Sequence, residues 1–380
     1  MNIQGMGLIH ASYINPTAMG DLELSNWLFW GIGRIFADFK FIAIFSILFG
    51  VGILLQSQSL EKKGNNPTPI FLQRMFWLAI FGIIHSTFIW YGDILLTYVI
   101  CGLFVYWLRK IPHPQLFIIA GILLLAPTVT AWQLQTVLDN SSIWDLKYLT
   151  KTLWIPSAEL VAAEFATHQS SWLQQIIPRL DSVAFMLTFQ LLTLNFWKSS
   201  ALMLIGMGLF KMNIFHIEQR SWHKRMLLGL VLGLTIAIVG LIQDFNHGWK
   251  LIFSLHEGRI YLYFSSLFMA LGYIGGFMLL LQLKKLNKTV EYLAAIGKMA
   301  LSNYILQSIF GLLLFSGFGL NWFGNKDYGE LALIVVGIWL FQIYFSTWWL
   351  QRFYYGPLEW LWRSLAYKKR QPLRRSSPKL

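Results

Sequence analysis

His85 and Asp93 stand eight residues apart in the run Phe81 to Gly102 (FGIIHSTFIWYGDILLTYVICG), which holds no other Asp, Glu, Lys, Arg or His. An Asp at the centre of a membrane helix costs about 2.5–3.5 kcal/mol even on the lenient insertion scales, so such a group signals function and a nearby partner. The tight turn Trp90-Tyr91-Gly92 predicts a helical hairpin. It puts His85 about one and a half helical turns before the bend, within direct or water-mediated reach of Asp93. A carboxylate there favours imidazolium or fixes the tautomer of a general base, so the pair can relay a proton. The same two residues can equally form a lock, with Asp93 capping a helix that starts at Ile94 and His85 satisfying a buried partner.

Other polar residues are scattered through apolar surroundings. Ser302, Asn303 and Gln307 interrupt one apolar run, Asn303 and Gln307 falling one turn apart on one helix face. Such groups either bind a neighbouring helix, at about 0.6–2 kcal/mol per bond, or line a polar path for substrate. Lys298 and Arg74 stand just before apolar runs, where they enforce topology or meet phosphates. Asp38 and Lys40, with Gln190, Asn195 and Lys198, could wall a cleft. His247, His256 and Glu257 share one loop without zinc-ligand spacing, so no metal is assigned. There is no Gly-x-Ser-x-Gly elbow, Walker loop or dinucleotide fingerprint.

The elements that must hold these residues are membrane helices. Of 380 residues, 56% are hydrophobic and 12% charged, against about 25% charged in a soluble domain. Apolar runs of spanning length number nine: Ile35 to Leu55, Met75 to Trp90, Ile94 to Leu108, Leu116 to Trp132, Ala184 to Phe210, Met226 to Gln243, Ile260 to Leu283, Met299 to Phe315 and Leu331 to Leu350. The third is short. The fold class is therefore an all-α polytopic transmembrane bundle. Cys101 lies inside an apolar run and reads as packing.

The formal charge of +13 comes from Lys and Arg in short loops and the tail, which reads as topology and anionic-lipid contact, with no nucleic-acid partner. Assigning loops 57–74, 109–115, 211–225 and 284–298 and everything after Leu350 to one side gathers more than two-thirds of the 30 Lys and Arg residues. That side is expected to be cytoplasmic, with the C-terminus. An odd number of crossings then puts the N-terminus outside with no helix to carry it there, which implies either an atypical first insertion or a Met1 that falls inside a first helix whose beginning is missing.

The divisions expected are 1–34 as remnant of that helix and outer segment, and 35–132 as the N-terminal half with the His/Asp hairpin. Then come 133–183, an extracytoplasmic segment of short helices, and 184–350, the C-terminal half. An amphipathic helix over 351–366, with Glu359 and Arg363 on one face and Trp360 and Trp362 at the interface, lies on the cytoplasmic surface. The basic tail 367–380 is expected to be disordered near anionic lipid.

Four stretches in order, FSILFGVGILLQ (Phe45 to Gln56), RMFWLAIFGIIHSTFIWYGDILLTYVICG (Arg74 to Gly102), GKMALSNYILQS (Gly297 to Ser308) and GPLEWLWR (Gly356 to Arg363), resemble the YeiB-like family of bacterial inner-membrane proteins. The likeness runs from about Asn2 to Arg363. It implies a place in the bacterial inner membrane and a grouping with membrane acyltransferases of the heparan glucosaminide N-acetyltransferase type. Such enzymes move an acyl group from a cytoplasmic thioester to an acceptor outside. What the resemblance implies here is acyl-CoA as donor, no permanently bound cofactor, an envelope-glycan acceptor, and His85 as base with Asp93 orienting it. Asn2 and His10 answer loosely to an Asn and a His that serve catalysis in the glucosaminide acetyltransferases. The family's usual opening helix, of the form DxxRGFAxxGILLxN, is present here only from its Asn, which fits the missing beginning and would make ten helices. Alternatives are a proton-coupled transporter of a small solute and a noncatalytic scaffold.

Overall fold

The computed structural model describes residues 2–20, 22–283 and 287–375. Its helices are α1 (Asn2–Gly7), α2 (His10–Ile14), α3 (Leu24–Phe36), α4 (Lys40–Glu61), α5 (Pro67–Phe88), α6 (Leu95–Trp107), α7 (His113–Asp139), α8 (Ile143–Leu149), α9 (Ala158–Gln169), α10 (Ile176–Phe185), α11 (Phe196–Lys211), α12 (Arg220–Asn246), α13 (Leu251–Ser254), α14 (Glu257–Leu280), α15 (Asn287–Lys298), α16 (Ala300–Phe315), α17 (Tyr328–Arg352) and α18 (Pro357–Ala366). All nine apolar runs are helical. Seven segments are long and apolar enough to cross a membrane; an eighth, α15 with α16, is bent by 76°. The short third run, α6, has 13 residues and a length of about 20 Å. Among the described residues no strand of any length forms, and a single backbone bridge is present.

Local chemistry explains the boundaries. Asn66 caps α5 by accepting from Thr68 N at 3.0 Å, with Pro67 in the first turn. Asp327 and Glu330 form a reciprocal capping box on α17. The first run extends further toward the N-terminus than expected: α3 and α4 read through as one 38-residue apolar span, interrupted where Phe39 takes a left-handed conformation (φ 61°). The fifth also lengthens. Residues 176–211 are continuously helical because a π-helical stretch, Met186–Asn195, joins α10 to α11 without a break.

Packing follows membrane rules. Residues such as Ile118, Ile122, Leu228 and Val231 are more than 60% exposed, as lipid-facing side chains must be. The inward faces of α4, α5, α6, α7 and α11 enclose a core around Leu78, Val105, Tyr106, Met203 and Met207, where Phe71 stacks on Tyr106 at 3.9 Å. Cys101 is buried in that core.

Helices α12 and α14 touch backbone to backbone. A methyl group on Gly229 would lie 2.7 Å from Phe268 O, one on Gly233 2.8 Å from Met269 N, and one on Gly275 2.7 Å from His223 O. Small residues at these positions let two helices approach closely, which is the main source of association energy where lipid competes for apolar contact. Gly50 of α4 and Gly206 of α11 do the same against Met203 O and Ile47 O. Gly233→Leu is therefore expected to cost at least about 1–3 kcal/mol through overpacking, seen as a lower thermal midpoint in detergent.

The C-terminal segment is tied to the bundle. Helix α18 docks on the bundle: Trp362 Nε1 donates to Arg74 O at 2.9 Å, and the Arg74 guanidinium lies 4.2 Å from the Trp362 ring. Glu359 does not pair with Arg363. Its carboxylate accepts from the backbone N–H groups of Leu301 and Ser302 and the Ser302 hydroxyl, so it caps α16, where the helix dipole favours an anion. Tail residues as far as Arg375 lie against the end of α17. Tyr354 N donates to Leu373 O and Arg375 N to Arg352 O, both at 2.9 Å, because backbone groups freed where α17 ends need partners. The remaining tail residues lie outside those described.

Candidate active site

Helix α5 carries His85 one turn from its C-terminal end, and that end is tied down by distant chain. Carbonyls left open by the last turn of a helix need outside donors. Thr87 O takes Arg179 Nη1 at 3.0 Å and Phe88 O takes Trp172 Nε1 at 2.9 Å. The turn that follows is closed by Asp93 N donating to Tyr91 O at 2.8 Å. Gly82 allows the two arms to meet: a methyl group there would be 2.9 Å from the Leu96 side chain and 3.1 Å from Asp93 Oδ2.

Asp93 uses its two oxygens for two tasks. Oδ2 accepts from Leu96 N at 2.8 Å, capping α6, and Oδ1 receives His85 Nδ1 at 2.9 Å. The His85 side chain is fully buried and that of Asp93 is 2% exposed. On the far side of the ring, His85 Nε2 is 2.9 Å from Ser308 Oγ. Tyr304, one turn earlier on α16, donates its hydroxyl to Asp93 Oδ1 at 3.4 Å and accepts from Ile94 N at 3.3 Å. The four side chains form one buried network around a turn and a helix 223 residues apart in the chain.

The polarity of this network follows from its ends. A carboxylate only accepts, so Nδ1 carries the proton toward Asp93; in the neutral ring Nε2 is then the acceptor, and the Ser308 hydroxyl donates to it. Hydroxyl, imidazole and carboxylate in that order are the components that activate a serine for acyl transfer. A cavity of about 100 Å³ opens one turn further along α16, lined by Met6, Trp90, Arg179, Gly311, Leu312 and Phe315. Around it stand ionisable groups outside the spans. Burial holds the His168 pKa below and that of Glu164 above their ordinary values, and pushes Tyr91 up to about 12.

The other residues singled out by sequence occupy different places. Asn303 and Gln307 bind α17: Asn303 Nδ2 donates to Ser346 Oγ at 3.0 Å, Gln342 Nε2 to Asn303 O at 2.9 Å and Gln307 Nε2 to Gln342 Oε1 at 2.7 Å. Ser302 is bound to Glu359, Arg74 donates to Gln56 Oε1 at 2.8 Å, and Lys298 is exposed. Asn2 is exposed on α1. His10 donates its backbone N–H to Glu164, and its Nδ1 lies 3.4 Å from the Tyr91 hydroxyl. The protein around its ring, and secondarily Arg259, hold its pKa below the usual value.

Lys40 Nζ donates to Arg34 O at 2.8 Å and Lys198 Nζ to Ser266 Oγ at 2.7 Å, whereas among the described residues Gln190 and Asn195 make no side-chain hydrogen bond. Among the described residues no group of His, Cys, Asp and Glu could hold a metal. Ser308 and Tyr304 escaped sequence reading although both lie within GKMALSNYILQS. Their i, i+4 spacing is the signal that marks them, on a face about 100° from Asn303 and Gln307.

Residues 209–369 match a family model described as a protein of unknown function, DUF418. That region contains Tyr304 and Ser308, while His85 and Asp93 precede it. The chain is 28% identical to the uncharacterized protein YeiB of Escherichia coli over 379 residues, covering 98% of this chain and 93% of that one. It is also 28% identical to the uncharacterized protein YxaH of Bacillus subtilis, over 90% of this chain and 82% of the relative. No solved structure matches it.

Proposed function

Because the chain is a YeiB-like polytopic membrane protein of the DUF418 family, we propose that it is a membrane acyltransferase working from a thioester donor. The observation that carries this reading is the Ser308–His85–Asp93 relay, with both hydrogen bonds at 2.9 Å inside the bundle. Ser308 Oγ attacks the thioester carbonyl while His85 Nε2 takes its proton; the departing thiolate receives that proton, leaving an acyl ester on Ser308. An acceptor hydroxyl or amine then loses its proton to the same nitrogen as it attacks the ester, and Ser308 recovers its hydrogen. Asp93 holds the productive tautomer and stabilises the imidazolium.

Sidedness follows from charge. The loops rich in Lys and Arg mark the cytoplasmic end, and the relay stands toward the other end of α5. At the basic end an open groove of about 600 Å³ between α5 and α18 is lined by Phe76, Trp77, Leu365, Lys368, Lys369 and Arg370. We place the donor's phosphates there, since cations beside apolar rings suit coenzyme A. From Trp77 to His85 is about 12 Å along α5. The acceptor enters from the opposite end, where an envelope glycan would be met.

The test is to supply radiolabelled acetyl-CoA to the protein in nanodiscs, quench in acid, and locate label by peptide mass spectrometry. Label on Ser308, chased by a glycan acceptor, is the expected result; no label in protein or acceptor defeats the reading. A second reading, proton-coupled transport, draws on the span broken by 76° between α15 and α16, since discontinuous helices mark transporter sites. Its distinguishing result is proton-linked solute uptake in proteoliposomes that Asp93→Asn abolishes.

A further inference from the structure

The cavity of about 100 Å³ beside the relay holds a guanidinium in its wall and no carboxylate. It lies along the same helix faces as the relay. Gly311 and Leu312 follow Ser308 on α16 by three and four residues, and Ile89 follows His85 by four, so the cavity begins about 6 Å further along both segments, away from the basic loops.

Arg179 of α10, only 8% exposed, forms part of the wall, and its guanidinium is fixed at two points. Nη1 donates to Thr87 O at 3.0 Å and Nη2 to Gln175 Oε1 at 3.3 Å. Gln175, also in the wall, is itself held: its Nε2 donates to His168 O at 2.9 Å and to Ser170 O at 3.0 Å. Among the described residues these bonds leave most of the N–H groups of the guanidinium unused, and no carboxylate comes within ion-pair distance of it. Trp90 lines the same cavity, and its Nε1–H is buried with no acceptor.

Guanidinium cannot shed its proton, so a buried one without a counter-ion is costly, as is a buried N–H without an acceptor. A single bound anion with two oxygens answers both needs. Size narrows the choice: at about 30 Å³ per water the space equals about three waters, enough for a carboxylate and too little for a sugar ring. We propose that this cavity binds the carboxylate of an acidic acceptor, with Arg179 as its counter-ion and Trp90 Nε1 as a further donor, so that a hydroxyl of the same sugar acid is presented to the acyl ester on Ser308. Arg179 and Trp90 thus select the acceptor and take no part in the proton relay. The acceptor role rests on acyl transfer at Ser308; carboxylate binding does not.

The test titrates the full-length protein in phosphatidylcholine nanodiscs with D-glucuronate, its uncharged counterpart D-glucuronamide and inorganic phosphate, at matched ionic strength and without thioester, and reads the thermal midpoint. The expected result is a saturable rise with glucuronate that glucuronamide does not reproduce. Arg179→Gln and Trp90→Phe should each weaken it at least about tenfold, the loss expected for one bond to a charged group, while Lys151→Gln, at an exposed position, leaves it unchanged. The comparison of glucuronate with glucuronamide uses the wild type alone, so it stands even where Arg179→Gln folds poorly. A second readout follows transfer from labelled acetyl-CoA: Arg179→Lys should raise KM for a glucuronate-bearing acceptor while Ser308 is labelled at the wild-type rate. Glucuronate binding without label on Ser308 would defeat the acyl-transfer reading and leave the carboxylate site standing. Equal binding of glucuronate and glucuronamide, a midpoint raised by phosphate alone, or wild-type glucuronate affinity in either Arg179→Gln or Trp90→Phe overturns the site.

Discussion

Ser308→Ala is expected to abolish the covalent acyl-enzyme and lower acyl transfer by about 10³-fold or more, with little change in folding. The reason is the position of the hydroxyl. Ser308 Oγ sits on the only ring nitrogen of His85 not engaged by Asp93, so an acceptor cannot reach that nitrogen until the serine moves or is acylated. His85→Ala should be as damaging, and the double variant no worse than either single one, because groups acting as one unit lose their whole contribution together. Single-turnover transfer from labelled acetyl-CoA measures all three. Wild-type rates in Ser308→Ala would remove the serine from the mechanism and leave His85 as a base acting directly on acceptor.

Asp93→Asn is expected to separate catalysis from architecture. An amide can still present its oxygen to Leu96 N and keep the cap on α6, but its NH₂ then faces His85 Nδ1 and forces the proton onto Nε2. With Nε2 a donor, Ser308 cannot be deprotonated, and the loss should approach about 10⁴-fold. The thermal midpoint should hardly move. Asp93→Ala removes both bonds, and the unsatisfied groups left behind should lower stability by about 1–3 kcal/mol as well. If the pair were only a lock between α5 and α6, the two variants would alter stability and leave transfer intact in Asp93→Asn. Measuring transfer and unfolding on the same samples therefore decides between lock and relay.

Composition and the lengths of apolar runs were enough to specify an all-helical membrane bundle, because a bilayer admits only helices or closed barrels and sets helix length through its thickness. The hairpin geometry was also legible. An ionisable residue on each side of Trp90-Tyr91-Gly92 in a lipid-length run favours mutual contact, and His85 and Asp93 do meet at 2.9 Å. The helix that actually pairs with a given face was not legible. Asn303 and Gln307 look as suited to a polar path as Tyr304 and Ser308, and only the approach of α17 to one face and of the hairpin to the other assigns them.

Glu359 makes the same point, since its spacing favours Arg363 while docking of α18 gives it the open N–H groups of α16. The sequence by itself determined what is local: helix, membrane and turn, each governed by neighbours along the chain and by the solvent around it. The tertiary structure alone decided which polar groups face each other. In lipid, apolar surface drives no particular pairing between helices, so the pairing rests on close backbone approach at Gly50, Gly206 and Gly233 and on the hydrogen bonds that approach permits.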